Sequence, residues 1–238
     1  VFCWDILSFN ASSICYFTDM NSTYNKISET VYSTAETQKQ SYEIGEYLKQ
    51  NNIEGDVVEL GVAAGGNFAT ILLGCRDAGL NKKGWGFDSY QGIQLAGKKD
   101  TSQPGIGEIT HDVNVPDEAL LVSSGITVHS KENVIGNLTS WGLYDNVELV
   151  EGWVQHTLPD YADKIDKIAV LRLDMDIYYP TKIALEYLFE KVVDGGVVVI
   201  DDWALDGARL ACEEFFESIN YKPNYIEVPN STPVYFYK

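Results

Sequence analysis

The chain has 238 residues, 45% of them hydrophobic and 22% charged, which suits one globular domain with a full core. Its formal net charge of −18 repels polyanions, so neither nucleic acid nor an anionic membrane surface is an expected partner. No apolar run reaches the ~20 residues that span a bilayer, and the first residues lack the basic start of a secretory signal, so a cytoplasmic location is expected.

Residues 1–35 are rich in Ser, Thr, Asn and aromatics and read as an N-terminal arm or lid before a domain over residues 36–238. Thr37 to Asn51 reads as a helix. Asp56–Leu60 is a strand, Gly61–Gly66 a glycine-rich turn, and Asn67–Ala78 a helix with Asn67 as its cap. Gly84–Asp88 is a second strand. Residues 91–120 have no periodicity, and a loop of that length reads as a mobile lid. Ser130–Trp141 reads as a helix and Val147–Glu151 as a strand. Lys167–Asp174 is a buried strand, Thr181–Val192 a helix closed by Asp194-Gly195-Gly196, and Val197–Asp201 a further buried strand. Ala204–Asn220 is helical, and Tyr225–Val228 with Val234–Tyr237 forms a terminal hairpin. This alternation predicts an α/β fold: a doubly wound, mostly parallel Rossmann-like sheet of seven strands with a C-terminal antiparallel hairpin. Of the four cysteines, Cys75 and Cys212 fall in apolar helical patterns and read as reduced core residues, while pairing of Cys3 with Cys15 stays open.

Ligands of such sheets bind beyond the carboxyl ends of the strands, and every chemical motif here falls at such an end. In VVELGVAAGG, Val57 to Gly66, the strand runs into an acid and then a glycine turn. The pattern is not the G-x-G-x-x-G of dinucleotide folds, and Glu59 would repel a pyrophosphate. Gly61 permits close backbone approach. Glu59 instead suits a cationic or zwitterionic nucleoside, and S-adenosylmethionine (SAM) carries both an ammonium and a sulfonium. In GFDSYQGI, Asp88 ends the second strand, where a carboxylate accepts ribose hydroxyls, with Ser89 beside it. Gly152-Trp153 follows the third strand, and the Trp153 ring offers a stacking face for adenine.

Two acidic pairs end the two most apolar strands, LRLDMD (Leu171 to Asp176) and VVVIDDW (Val197 to Trp203). Adjacent parallel strands lie ~5 Å apart, so Asp174, Asp201 and Asp202 converge if these two are neighbours. Clustered carboxylates repel one another. A hard divalent cation relieves this, Mg2+ in the first place, with Mn2+ and Ca2+ the other cations of that donor set. Asp176, two residues beyond Asp174, is the candidate general base toward a metal-held hydroxyl. His156 is the rival base, and His129 and His111 rank below it. Arg172 lies between Leu171 and Leu173 and is expected to pair with an acid. The Tyr178-Tyr179-Pro180 corner offers rings as a platform for a sugar or aromatic acceptor.

VVELGVAAGG, FDSYQGI, GWVQHTLP, LRLDMDIYYPT and GGVVVIDDW together resemble the macrocin O-methyltransferase (TylF-type) family over roughly residues 36–238. The resemblance implies a class I SAM-dependent O-methyltransferase acting on a sugar hydroxyl of a natural product. It implies SAM contacts around Glu59, Gly61 and Asp88, Mg2+ at Asp174, Asp201 and Asp202, Asp176 as base, a mobile lid over the acceptor, and often a homodimer. Two positions depart from the family pattern: Met175 stands where a Gly usually separates the aspartates, and His156 where an acid often precedes Thr-Leu-Pro. A catechol- or phenol-type O-methyltransferase is the neighbouring enzymatic reading. A non-catalytic SAM-binding domain is the reading from another class, and the intact aspartates speak against it.

Overall fold

A computed structural model describes residues 22–100 and 121–238. Its seven strands are β1 (Asp56–Leu60), β2 (Gly84–Asp88), β3 (Val147–Glu151), β4 (Ile168–Leu173), β5 (Val192–Ile200), β6 (Ile226–Glu227) and β7 (Val234–Tyr237). They form one sheet in the order β3-β2-β1-β4-β5-β7-β6. β1 to β5 are mutually parallel, β7 runs antiparallel to β5, and β6 pairs antiparallel with β7. This is the mostly parallel Rossmann-like sheet with a terminal antiparallel hairpin that the alternating pattern predicts.

Successive residues of a strand point to opposite faces, and both faces here are covered. Val57, Val170 and Val197 pack in one core with α1 (Ala35–Gln50), α2 (Gly66–Asp77) and α3 (Lys131–Ser140). Their neighbours Val58, Leu171 and Val198 pack in the other with α4 (Val154–Tyr161), α5 (Tyr178–Leu188) and α6 (Asp206–Ser218). Burial on both faces explains why β4 and β5 read as continuous apolar runs. Helices α1 and α2 cross at Gly45 and Gly74, where a Cβ on Gly45 would lie 2.1 Å from the Gly74 carbonyl carbon.

Several elements differ from the expectation. The glycine turn caps α2 through Gly65 in a left-handed conformation, and Asn67 lies inside the helix without capping it. The helix after β4 begins at Tyr178 and ends at Leu188, and β5 starts at Val192, so Asp194-Gly195-Gly196 lies within the strand and does not close the helix. GWVQHTLP carries the short helix α4, which includes Pro159. Residues 22–28 are helical, and Ile27 is fully buried in the α1–α3 core, so this part of the arm belongs to the packed body. The root of the 91–120 segment is an antiparallel ladder, with Leu95 N–H donating to Val122 O at 3.0 Å and Ser124 N–H to Ile93 O at 2.8 Å. Residues 1–21 and 101–120, with Cys3, Cys15 and His111, lie outside the described residues. Cys75 and Cys212 are buried free thiols. Among the described residues, no helix is long and apolar enough to cross a membrane.

Candidate active site at the carboxyl edge of the sheet

The chain winds from β1 to β3 in one direction and from β4 to β5 in the other. The crevice this reversal opens between β1 and β4 is the usual ligand position of such sheets. A cleft of about 290 Å³ lies there. Gly61 stands at its floor with φ +86°, and a Cβ there would lie 1.7 Å from the Asp174 carbonyl oxygen, so only glycine fits.

On the β1–β3 side, Glu59, Gly61, Asp88, Ser89 and Trp153 all line the cleft. Gly152 does not; it makes the turn before Trp153 with φ +136°, and its N–H donates to the Asp88 carbonyl at 2.9 Å. The Asp88 carboxylate accepts the backbone N–H groups of Ala63 at 2.9 Å and Tyr90 at 2.7 Å, which fixes its orientation at the end of β2. Burial raises its pKa and these amides oppose the rise. Glu59 is fully buried, and its Oε1 accepts from Arg172 Nε at 2.8 Å. Burial pushes Glu59 upward and the guanidinium opposes it.

Two glutamines that sequence reasoning passed over meet on this side. Gln155 Nε2 donates to Gln94 Oε1 at 2.6 Å, and both residues line the cleft. Gln94 Nε2 and Gln155 Oε1 are buried and have no partner among the described residues. The pair therefore holds one orphaned donor and one orphaned acceptor, both shielded from solvent in this structure. That is the complement of an adenine edge, which offers an amino donor beside a ring-nitrogen acceptor. Thr30, Tyr32 and Asn67 complete the wall, and the Tyr32 hydroxyl meets His129 Nε2 at 3.0 Å. Gln155 stood inside a quoted motif, two residues after Trp153, and Asn67 carried only a helix-cap signal; Gln94, Thr30 and Tyr32 carried none.

On the β4–β5 side the strand register does the positioning. Glu59, Arg172 and Val199 sit opposite one another on adjacent strands. Asp174 and Asp201 lie two residues further along and extend the ladder, with Asp174 N–H donating to Leu60 O and Asp201 N–H to Leu173 O, both at 2.9 Å. Asp174, Asp201 and Asp202 each bring one carboxylate oxygen within 4.8 Å of the others, a donor set that suits a hard divalent cation. Burial raises the pKa values of Asp174 and Asp202 well above the ordinary carboxylate range, and the neighbouring carboxylates push the same way. Asp176 lines the same cleft in a left-handed conformation, φ +66°, and its N–H donates to Asp202 Oδ2 at 2.7 Å. Burial first, and then the Asp201 charge, push Asp176 up to about 7.

Two expected contributors do not reach the cleft. His156 is exposed on α4 and does not line it, because the first turn of that helix presents Val154 and Gln155 inward. Tyr178 is buried in α5, and its hydroxyl donates to Glu214 under Lys99 Nζ, which lies 3.9 Å from the ring centroid. Of the Tyr178-Tyr179-Pro180 corner, only Pro180 touches the cleft. Asp100, also unforeseen, is buried, and its Oδ1 accepts the Tyr178 N–H at 2.8 Å, capping α5 two residues past Asp176.

The sheet order, the nucleoside-type half at β1–β3 and the acidic half at β4–β5 define the fold of class I SAM-dependent methyltransferases. Within that class the chain belongs to the macrocin-O-methyltransferase (TylF) family, whose model matches residues 34–238. It is 32% identical over 172 residues to the 8-demethyl-8-(2,3-dimethoxy-alpha-L-rhamnosyl)-tetracenomycin-C 4'-O-methyltransferase of Streptomyces olivaceus, covering 71% of this chain and 61% of that protein. It is 35% identical over 160 residues to the demethyldecarbamoylnovobiocin O-methyltransferase of Streptomyces niveus, covering 65% of this chain and 55% of that protein. The chain thus spans less than two thirds of the length of these two relatives. The solved structure of the O-methyltransferase NovP superposes with a TM-score of 0.67 at 28% identity, covering 85% of this chain and 79% of that one.

Proposed function

We propose that this chain is a SAM-dependent O-methyltransferase that methylates a hydroxyl of a sugar carried by a natural product, with a divalent cation at the acceptor. The observation that carries the reading is the meeting, in one cleft of a TylF-family chain, of a nucleoside-type wall and a three-carboxylate cluster with Asp176 beside it. The relatives' names place them on a rhamnosylated tetracenomycin and on a novobiocin precursor, which makes glycosides the acceptor class to try first.

In this reading Asp88 holds the ribose, Trp153 and the Gln94–Gln155 pair receive the adenine, and Glu59 faces the cationic end of SAM, whose charge would draw its buried carboxyl toward the ionised form. Asp174, Asp201 and Asp202 would hold Mg2+, which supplies Lewis acidity to fix an acceptor hydroxyl and lower its pKa. Asp176 takes the hydroxyl proton; a base poised near neutrality suits that task. The cleft walls align acceptor oxygen and methyl group, which is the larger part of the work in an in-line displacement. A cytoplasmic location and a homodimer belong to the same proposal, and light scattering near twice the 26.5 kDa chain mass is the expected result.

The test is transfer of labelled methyl from SAM to a panel of rhamnosides, other deoxysugar glycosides and catechols, with and without EDTA. Methylated glycoside that disappears with EDTA and returns with Mg2+ is expected. Transfer to catechols alone, or full activity in chelator, defeats the proposal.

A further inference from the structure

Arg172 is fully buried behind the cleft, against the lining residues Glu59, Asp174 and Asp201. Its Nε donates to Glu59, and its Nη2 donates to both Asp174 Oδ2 at 3.0 Å and Asp201 Oδ1. A buried cation is tolerated only when paired. Yet Nη1 is buried with no partner among the described residues, an orphan that an apolar side chain of similar length would avoid. Packing alone gives no reason for an arginine here.

The hydrogen bonds suggest a reason. Asp174 and Asp201 each give one oxygen to Arg172, and Asp202 gives one to the Asp176 N–H. Among the described residues no donor reaches the second oxygen of any of the three. The protein donors therefore lock each carboxylate in one rotamer and leave one oxygen of each available. One guanidinium charge also falls short of the three carboxylates it touches, with Asp202 and Asp176 still nearby, so full ionisation of the cluster calls for a further cation.

We propose that Arg172 is a positioning residue, a built-in counter-cation that holds the Asp174 and Asp201 carboxylates convergent before a divalent ion arrives and limits how far the fold depends on that ion. The inference rests on the metal reading above. It reaches beyond it by assigning the metal-free state its own cation. Groups that hold ligands from outside typically change metal affinity 10–100-fold when removed. Here the removal also exposes the cage to its own repulsion, so metal binding and folding become linked.

The experiment is thermal unfolding of the full chain in EDTA and in 10 mM Mg2+, at constant ionic strength, for wild type, Arg172→Met and Arg172→Lys. Leaving buried carboxylates without their partner is expected to lower the Arg172→Met midpoint in EDTA by about 10 °C. Mg2+ should restore most of that loss, so its increment is at least about twice that of wild type. Arg172→Lys keeps the charge with a shorter reach, and its increment should fall between the two. A midpoint loss in Arg172→Met that is equal in both buffers means a packing role and overturns the proposal. If Arg172→Met folds in neither buffer, Arg172→Lys decides: an increment no larger than wild type's overturns it. A wild type that gains nothing from Mg2+ removes the cage itself, and that result is distinct from a wild-type gain that the variants share unchanged.

Discussion

Replacing the glutamine pair with leucines should weaken ligand binding without weakening the fold. Among the described residues Gln94 Nε2 and Gln155 Oε1 are buried and have no partner, while the other ends of the two amides hold each other at 2.6 Å. Each orphaned polar group costs about 1–3 kcal/mol. Gln94→Leu alone removes one orphan but takes the acceptor from Gln155 Nε2, so it leaves a new one. The number of orphans is then unchanged and only the shared hydrogen bond, about 0.5–1.5 kcal/mol, is lost, so either single variant should lower the midpoint by roughly 1–6 °C, at about 2–4 °C per kcal/mol for a domain of this size. The double variant removes both amides together, and similar-sized apolar groups replace them, so its midpoint should equal or exceed that of wild type. Affinity for S-adenosylhomocysteine should move the other way and fall about 10–100-fold in the double variant, as two hydrogen bonds to the base are lost. Wild type should also discriminate against the inosine analogue, which offers an acceptor where adenine offers a donor, and the double variant should not. Calorimetry with both ligands and thermal unfolding of the four proteins complete the cycle. Unchanged affinity in the double variant, or a midpoint loss equal to the sum of the singles, would refute the reasoning.

The acidic half yields further expectations. Asp202→Asn keeps an acceptor for the Asp176 N–H but removes one of the three clustered charges; its midpoint in EDTA should match or exceed wild type's while the Mg2+ increment shrinks. Asp176→Asn should lower kcat by about 10²–10⁴-fold and leave S-adenosylhomocysteine affinity intact by calorimetry; a near-wild-type rate would remove Asp176 as base. In wild type with Mg2+ the rate should decline on the acid side as Asp176 takes up its proton, at a pH below the value of about 7 that burial and the Asp201 charge give it in the metal-free site. Stability has the opposite sign. Asp174, Asp176 and Asp202 are raised above their unfolded values, so between about pH 4 and 7 the metal-free native state binds more protons than the unfolded chain, and stability falls as pH rises. The EDTA midpoint should thus be higher at pH 6 than at pH 8, with a shallower slope in Asp202→Asn; equal slopes would count against the cluster as the cause.

The features readable along the chain were those with local causes. Apolar runs closed by an acid mark strand ends, and glycine marks the turn beside Asp174, so Glu59, Asp88, Asp174 and Asp201 could be set at one edge of a sheet before any coordinates. Period-two alternation then put Glu59, Arg172, Asp174 and Asp201 on one face once β1, β4 and β5 are neighbours, and the observed register makes them so. Which acid Arg172 takes was not readable, because it depends on two strand registers and three rotamers at once. His156 stood out in the motif as a rival base and Gln155 did not; only the rotation of α4 decides that Gln155 faces the cleft and His156 the solvent. Gln94 and Gln155 stand 61 residues apart, and Asp100 caps Tyr178 across 78 residues. Such contacts have no signature in either local segment. The chemistry of this protein was thus written in strand ends, where the backbone itself dictates position. The completion of its walls was left to loops, whose side chains meet only after the sheet has brought their roots together.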